Sequence, residues 1–282
     1  IESRSSKKLV KMKPARGVDE IRFERLEVLA NGLSVPDLSL AEASVLLAGD
    51  SEILRISPQV KFEPTLAESV PAIKADQVWT LSDSAGFPVD GRGVKIGIVD
   101  TGIDYRHPDV GGCIGPACKV KKSLGLVVGD DGMDLNGHGT AVASIAAGAH
   151  GVAPGASLYT INMLGSNSTT GGTLRSLEYC ADPDSNGEFS DRLDVCNMSL
   201  STSGSVENSP DGVYATAIDR LSALGVVSVI SAGNYGASYA IDGGIRELNA
   251  SRSAITVANA CKPNSGSVWC APGKLASHSS RG

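Results

Sequence analysis

The chain has 282 residues, a formal net charge of −6 and a sequence pI near 5.3. This acidic balance argues against a nucleic-acid partner, and no run approaches the roughly 18 apolar residues that a membrane-spanning helix needs. Aromatic residues make up only 4% of the chain, whereas glycines number 33. We therefore expect an aliphatic, closely packed core with many tight turns, in one large domain plus a small one.

The first 66 residues are expected to form a small α+β region. Lysine and arginine dominate its start, which indicates a solvated arm. Alternating apolar residues predict short strands at 9–13 and 21–33. The capping box Ser39-Leu40-Ala41-Glu42 predicts a helix, and a last strand region is predicted at 53–62.

A buried strand is predicted early in the second region, residues 67–282. An entry helix at 75–79 leads to the run Val94-Lys95-Ile96-Gly97-Ile98-Val99-Asp100. A nearly unbroken apolar run of this length is typical of a strand covered on both faces of a parallel sheet. Chemistry in such sheets lies beyond the carboxyl ends of the strands, where Asp100 falls. A carboxylate there is costly to bury without a partner.

Strands and helices continue to alternate along the chain. Further strands are predicted at 158–163, 193–199, 227–231 and 254–258, and helices at 173–181 and 212–224. In the second of these helices, helical spacing predicts a core-facing stripe of Val213, Ala217, Leu221 and Leu224. The alternation predicts an α/β fold with a largely parallel central sheet.

His138 is the best candidate for the partner of Asp100. It lies in Asn136-Gly137-His138-Gly139-Thr140, at the start of a run of small residues that predicts a tightly packed helix. The glycines on either side permit an unusual backbone and the close approach of another segment. A carboxylate beside the ring would fix its tautomer and stabilise the cation that forms on proton transfer.

A polar amide follows another predicted strand. Asn234 lies in the glycine-flanked turn Gly233-Asn234-Tyr235-Gly236. A side-chain N–H in such a turn can stabilise the oxyanion that develops on a carbonyl oxygen during acyl transfer. Taken singly, Asp100 is as readily a helix cap, His138 a core histidine and Asn234 a turn residue, so the hypothesis depends on all three together.

Four segments in this chain resemble the motifs of the subtilisin-like serine proteases, or subtilases. They are Asp100-Thr101-Gly102-Ile103-Asp104, Asn136-Gly137-His138-Gly139-Thr140, Asn197-Met198-Ser199-Leu200 and Ser231-Ala232-Gly233-Asn234. Each alone is weak, whereas four in the family's order over roughly residues 75 to 282 are specific. The resemblance implies a three-layer fold, with Asp100 orienting the histidine, His138 as general base and Asn234 as an oxyanion donor.

The resemblance also implies partners. Ser199, Leu200 and Ser201 would pair with an extended peptide or protein substrate as an added strand. Relatives usually have glycine where Ser201 stands, so the specificity pocket is expected to be narrower here. Residues 1–66 resemble a propeptide, which in the family acts as an intramolecular inhibitor, and processing would fall within 63–69. The alternative is an unrelated small extension, because the usual helix between the first two strands has no room here.

The family's nucleophilic serine lies in a Gly-Thr-Ser-Met-Ala-type turn, and no such motif occurs in this sequence. We therefore interpret the chain as a subtilase that is incomplete at its C-terminus and expect it to be inactive alone, since losing that serine in a subtilisin costs about 10⁶ in kcat. The alternative is a natural non-catalytic peptide-binding protein, a pseudoprotease. A nucleotide-binding domain is a weaker hypothesis because the Asp100 strand lacks G-x-G-x-x-G.

A run of oxygen ligands predicts a calcium site. Asp182-Pro183-Asp184-Ser185-Asn186-Gly187 matches the opening of a D-x-D-x-N-G loop. The twelfth position is Leu193 rather than Glu, so Asp191 or Asp194 would have to complete the shell. Polar turns of this composition also occur without a metal. The candidate ligands are Asp182, Asp184, Asn186 and Asp191.

Six cysteines fall into three pairs of near neighbours: Cys113 with Cys118, Cys180 with Cys196, and Cys261 with Cys270. An even count at short spacing indicates disulfides and hence a secreted or extracytoplasmic protein. Buried free thiols are the alternative. None of the pairs has the C-x-x-C spacing of a zinc site.

Overall fold

The computed structural model describes residues 24–26, 32–34, 66–126, 130–164, 170–201, 209–236, 247–261 and 273–280. The chain divides into two compact units, Ile1–Glu63 and Pro64–Gly282. In the first unit, the strand predicted at 9–13, the helix predicted from Ser39 and the strand region at 53–62 lie outside the described residues.

Two short strands are described in the first unit. Strand β1 (Glu24–Leu26) pairs antiparallel with β2 (Gly32–Ser34), with Glu24 opposite Ser34. The prediction of a single strand over 21–33 is therefore wrong. Apolar alternation is the same in one long strand and in the two strands of a hairpin, so the pattern alone did not separate them.

A six-stranded parallel sheet forms the centre of the second unit. Its strands are β3 (Lys95–Asp100), β4 (Val120–Gly125), β5 (Ser157–Asn162), β6 (Val195–Met198), β7 (Val227–Ser231) and β8 (Ile255–Val257). The spatial order is β4-β5-β3-β6-β7-β8, and every neighbouring pair is parallel. The predicted α/β fold with a parallel central sheet is confirmed.

Five helices accompany the sheet in the described part of the second unit: α1 (Leu66–Ala72), α2 (Ala75–Val78), α3 (His138–Ala147), α4 (Thr170–Ala181) and α5 (Val213–Ala223). Two 3₁₀ turns lie at Pro108–Val110 and Glu247–Ala250. Among the described helices, none has the length and apolar character needed to cross a membrane.

Strand β3 is the wall shared by two hydrophobic clusters. On one face Ile96 and Ile98 pack in a cluster that contains Ala143 and Ala147 of α3. On the other face Val99 belongs to a cluster with side chains of α4 and α5. Successive strand residues point to opposite faces, so helices cover both sides of β3. This three-layer arrangement leaves the carboxyl end of β3 as the place where its terminal aspartate meets other segments.

Helix α5 buries a different stripe from the predicted one. Tyr214, Ala215, Ile218 and Leu221 are its buried residues, whereas Val213 is 54% exposed. Val213 is the first residue of the helix, and its position at the open end explains the exposure. Only Leu221 of the predicted stripe is fully buried.

Of the two edge strands, β4 was not predicted, whereas β8 agrees with the strand predicted at 254–258. Strand β4 contains Lys121 and Lys122, so its sequence lacks the apolar run of a covered strand. Strand β8 lies at the opposite edge, where Ile255 and Val257 are 54% and 49% exposed. An edge strand is paired on one side only, and burial is correspondingly weaker there.

Candidate active site

The carboxyl ends of the parallel strands gather polar groups at one edge of the sheet. Asp100 ends β3 and is aligned with Asn162 at the end of β5. Ser199 follows β6, and Ser231 ends β7. Because all these strands run in the same direction, residues that are far apart in sequence reach the same edge.

Asp100 and His138 are in direct contact. Nδ1 of His138 lies 2.7 Å from Oδ1 of Asp100, and the Thr101 backbone N–H donates to the same oxygen at 2.7 Å. The Asp100 side chain is 0% exposed, whereas the His138 side chain is 53% exposed. An ionised carboxylate only accepts hydrogen bonds, so this contact places the ring proton on Nδ1. The lone pair of Nε2 is then available to take a proton.

The second carboxylate oxygen of Asp100 has a different environment. Oδ2 is buried and has no hydrogen-bond partner among the described residues. A buried charge needs compensation, and within the described chain the ring N–H and one backbone N–H supply it on the other oxygen alone. His138 therefore supplies one of the two hydrogen bonds that the Asp100 carboxylate receives from the described residues.

Glycines allow the two segments to approach. Gly137 precedes α3 with a φ of 96°, a left-handed conformation that favours glycine. A Cβ at Gly139 would overlap the carbonyl oxygen of Gly102 and lie 3.2 Å from Oδ1 of Asp100. Gly139 is therefore required by the close approach and Gly137 by its left-handed backbone, the two uses of glycine that the sequence predicted here.

A second buried carboxylate, Asp134, lies beside the pair and is 6% exposed. Its Oδ1 accepts hydrogen bonds from Thr101 Oγ1 at 2.9 Å and from the backbone N–H groups of Asn136 and Gly137 at 2.8 Å each. Its Oδ2 accepts from the Thr140 N–H at 2.8 Å and the Thr140 hydroxyl at 2.6 Å. Burial acts to raise the pKa of Asp134, but these hydrogen bonds together outweigh it and hold the pKa below its usual value.

The sequence prediction did not single out Asp134. A signal was present, since an aspartate two and three residues before Asn136-Gly137 favours a turn in which the side chain caps backbone N–H groups. Nothing local in the sequence, however, indicates its contact with Thr101, which is 33 residues away.

Asn234 lies beyond the end of β7, with an exposed side chain. The preceding Gly233 has a φ of 97°, and its carbonyl accepts the Ser280 N–H at 2.9 Å. The Tyr235 N–H donates to Ser280 Oγ at 3.2 Å, and the Gly236 N–H donates to the His278 carbonyl at 2.9 Å. The turn is thus attached to residues 273–280. No hydrogen bond in the described parts of the chain joins Asn234 to Asp100 or His138.

The segment Ser199-Leu200-Ser201 continues from β6 along the same edge. The Leu200 carbonyl accepts the Ser231 hydroxyl at 3.1 Å, and Ser201 Oγ lies 3.4 Å from the Tyr235 hydroxyl. Ser199 Oγ accepts from the Asn197 side chain at 3.1 Å. Tyr235 was not among the predicted site residues, although it directly follows Asn234. Its contact with Ser201 connects the predicted substrate segment to the Asn234 turn.

Three carboxylates form a candidate metal site elsewhere in the unit. Asp182, Asp184 and Asp191 each offer an oxygen within 4.8 Å of the others. The pKa of Asp182 is held below its usual value, chiefly by the Gly187 backbone N–H. Asn186 donates to Asp184 through Nδ2, and its Oδ1 accepts the Glu188 N–H, which leaves the second lone pair of that oxygen for a metal ion.

Two of the three predicted disulfides are present. Cys113–Cys118 and Cys180–Cys196 have Cα separations of 5.7 Å and 6.2 Å. The second joins α4 to β6 within the core. Cys261 is buried, and Cys270 lies outside the described residues, so the third pair stays a prediction.

Comparisons with known proteins agree with this arrangement. Residues 91–282 match the model of the Subtilase family, and the chain belongs to this family. This family is that of the subtilisin-like peptidases.

Individual relatives are proteases. Subtilisin DY of Bacillus licheniformis is 37% identical over 187 residues, which cover 62% of this chain and 57% of the relative. The minor extracellular protease Vpr of Bacillus subtilis (strain 168) is 32% identical over 194 residues, which cover 61% of this chain and 21% of the relative. This chain therefore spans only part of their length. A solved psychrophilic protease is 25% identical, with a TM-score of 0.52 over 74% of this chain and 65% of its own.

Proposed function

We propose that the complete protein is a serine endopeptidase in which Asp100, His138 and a serine outside residues 1–282 form the catalytic triad. The single observation that carries the proposal is the 2.7 Å contact between a fully buried Asp100 and the half-exposed ring of His138. In acyl transfer such a pair takes the proton of a nucleophilic hydroxyl and then gives it to the leaving amine.

Each residue has a distinct task in this mechanism. Asp100 holds the imidazole with its proton on Nδ1 and stabilises the imidazolium. His138 accepts the serine proton at Nε2. Asn234, exposed beyond β7, donates its side-chain N–H to the oxygen of the tetrahedral intermediate together with a backbone N–H.

The substrate is a peptide or protein bound in an extended conformation. Ser199, Leu200 and Ser201 lie beyond the end of β6, so an extended peptide can add to this segment through backbone hydrogen bonds. The Ser201–Tyr235 contact at 3.4 Å supports a narrow pocket for one substrate side chain beside this segment.

Activity of the full-length gene product on casein tests the proposal. We expect hydrolysis that a serine-reactive fluorophosphonate abolishes, and no hydrolysis by residues 1–282 alone, because they carry no Gly-Thr-Ser motif. A full-length product that binds peptides but neither cleaves casein nor reacts with the fluorophosphonate would instead be a pseudoprotease.

Residues 1–66 are proposed to act as a propeptide that inhibits the unit of residues 67–282. The division of the chain after Glu63 supports a separate N-terminal unit. N-terminal sequencing of the purified full-length product tests this assignment. A new N-terminus within 63–69 is expected, whereas an uncut chain with full activity would contradict it.

Calcium is proposed to bind Asp182, Asp184 and Asp191, with Asn186 nearby. Three carboxylates within reach of one ion are the hard oxygen ligands that calcium prefers. Asp191 Oδ1 is also buried and has no hydrogen-bond partner within the described chain. A bound ion would tie the loop between α4 and β6 and take no part in the hydrolytic step.

We also propose that the protein is secreted. Two disulfides support this location because they persist in oxidising compartments. A further support is the similarity to an extracellular protease of Bacillus subtilis. Immunodetection of the protein in culture medium, compared with cell lysate, tests the location.

A further inference from the structure

We propose that Asp134 is a positioning residue that fixes the end of β3 relative to the start of α3, so that Asp100 and His138 stay in contact. The catalytic part of this inference rests on the proposed function, whereas the contact itself does not. Asp134 is buried and accepts five hydrogen bonds, and all five donors lie in the segments that carry Asp100 and His138.

Two threonines connect these segments in a reciprocal way. Thr101 follows Asp100, and its Oγ1 accepts the Gly139 N–H of α3 at 2.9 Å. Thr140 lies in α3, and its Oγ1 accepts the Asp104 N–H from the segment after β3 at 2.9 Å. Each hydroxyl thus reaches across from its own segment to a backbone N–H of the other.

Both threonine hydroxyls donate their protons to Asp134, Thr101 to Oδ1 and Thr140 to Oδ2. A hydroxyl has a single proton. Once that proton is directed to Asp134, the oxygen lone pairs are oriented toward the backbone N–H of the opposite segment. Asp134 therefore fixes both cross-links, even though the hydrogen bonds of its side chain go to neither Asp100 nor His138.

The chemistry of the site calls for a carboxylate. Three donors face Oδ1 and two face Oδ2. Asparagine has almost the same shape, but its NH₂ group would face at least two donors whichever way the amide is turned. Asp134→Asn therefore breaks one of the two cross-links with little change in volume, and it leaves at least two buried donors facing an NH₂ group instead of an acceptor.

Asp109 provides a matched control at the other end of the same helix. Its Oδ1 accepts the Ala149 N–H at 3.1 Å, just beyond the C-terminus of α3. Asp109→Asn weakens a carboxylate-to-backbone contact of the same kind without touching the Thr101 or Thr140 cross-links. Both variants are expected to lower the thermal unfolding midpoint, so stability alone does not distinguish a positioning role from a structural one.

The distinguishing measurement is the proton on Nδ1 of His138, observed by NMR in full-length protein with ¹⁵N-labelled histidine. The chain has four histidines, and His138→Gln assigns the resonance. In Asp134→Asn we expect exchange of this proton with water to become at least about tenfold faster, with ring nitrogen shifts that indicate mixed tautomers. In Asp109→Asn both signals should match the wild type.

An unchanged exchange rate of the Nδ1 proton in a folded Asp134→Asn would overturn the proposal and leave Asp134 as a structural cap. Should Asp134→Asn fail to fold, Thr140→Val serves as the second variant, because it removes one hydroxyl cross-link and keeps the side-chain shape. It is expected to accelerate proton exchange to a smaller extent, and an unchanged rate would contradict the cross-link.

Kinetics of the same full-length variants separate this inference from the proposed function. Asp134→Asn should lower kcat by about 10- to 100-fold with little change in KM. A changed Nδ1 proton in a protein without hydrolytic activity would support the positioning role and reject the protease. Normal kcat together with an unchanged exchange rate of the Nδ1 proton in Asp134→Asn would support the protease and reject the positioning role.

Discussion

In the acid–imidazole half of the site, residues 100–104 and 134–140, two carboxylates are buried, and the hydrogen bonds of their side chains all come from these two short segments. In the amide half, residues 199–201, 231–236 and 273–280, the donor Asn234 is exposed. Three distant segments meet there through backbone carbonyls and hydroxyls. Among the described residues of the amide half, no carboxylate takes part.

This difference follows from what each half has to hold. A permanent buried charge is stable only with fixed donors around it, so the acid–imidazole half is fixed before any substrate arrives. The amide half stabilises a charge that exists only in the transition state, and its donor must face the substrate. Changes in the first half are therefore expected to disturb the resting protein, and changes in the second half to disturb catalysis alone.

The largest expected effect is that of Asp100→Asn in the full-length gene product. Asparagine keeps the shape but offers Nδ1 of His138 a neutral partner, and kcat should fall by about 10⁴-fold, the order known for the corresponding acid in a subtilisin. Steady-state hydrolysis of a peptide substrate measures the change. Asp104→Asn is the control, because that partly exposed carboxylate pairs with Arg106. Equal losses in the two variants would contradict a special role for Asp100.

A smaller loss is expected for Asn234→Ala. Removing one oxyanion donor costs about 10²- to 10³-fold in kcat with KM nearly unchanged. Because the side chain is exposed, the thermal unfolding midpoint should not move. Kinetics and calorimetry on one preparation check both parts. An unfolding midpoint that falls together with kcat would break the distinction between the two halves.

The acid–imidazole half was the more predictable one from sequence. Asp100 ends an apolar run and His138 lies between two glycines, and both signals are local, so the strand end and the helix start were predicted correctly. Asp134 was missed because its role appears only when Thr101, 33 residues away, reaches it. Contacts between distant side chains leave no periodic signal in a single sequence.

The strands of the fold also differ in how well the sequence predicts them. Central strands such as β3 are covered on both faces and read as apolar runs, whereas the edge strand β4 carries lysines and was not predicted. In the amide half, the sequence indicated Asn234 but not Tyr235, whose hydroxyl contact with Ser201 links residues 34 positions apart.

A change of specificity is expected from Ser201→Gly. Removing the hydroxymethyl group that meets Tyr235 widens the space beside residues 199–201, and a preference for larger substrate side chains should rise by about tenfold in kcat/KM. Tyr235→Phe keeps the ring and should change this preference less. A panel of peptides that differ at one residue measures both. An unchanged preference in Ser201→Gly would place the pocket elsewhere.

Removal of calcium tests whether a bound ion stabilises the segments that form the amide half. The loop with Asp182, Asp184 and Asp191 leads into β6 and residues 199–201. With free calcium about 100-fold above Kd, binding contributes about 2.7 kcal/mol. Chelation should therefore lower the unfolding midpoint by about 5–10 °C for a unit of this size.

Matched substitutions assign that response to the predicted loop. Asp184→Asn should abolish the effect of chelation, whereas Asp211→Asn, an exposed carboxylate paired with Arg252, should retain it. The exchange rate of the His138 Nδ1 proton with water is expected to be the same with and without chelator. A midpoint indifferent to chelator would favour the plain polar turn.

The smallest effect concerns acid stability and belongs to the acid–imidazole half. The pKa of Asp134 is held below its usual value because hydrogen bonds from Thr140, Gly137 and Asn136 outweigh the effect of burial. The ionised form therefore stabilises the folded state above the pKa of an unfolded aspartate, about 3.9. This contribution is lost as the pH falls through the lower folded value.

Asp134→Asn lacks this titration, so its unfolding midpoint should fall less steeply than that of the wild type as the pH falls below about 4. Other carboxylates with lowered pKa values, such as Asp182 and Asp219, are present in both proteins and cancel in the difference. The unfolding midpoint of Asn234→Ala, in the amide half, should fall with pH as steeply as that of the wild type. If the unfolding midpoints of Asp134→Asn and the wild type fell equally with pH, the Asp134 charge would not stabilise this half of the site.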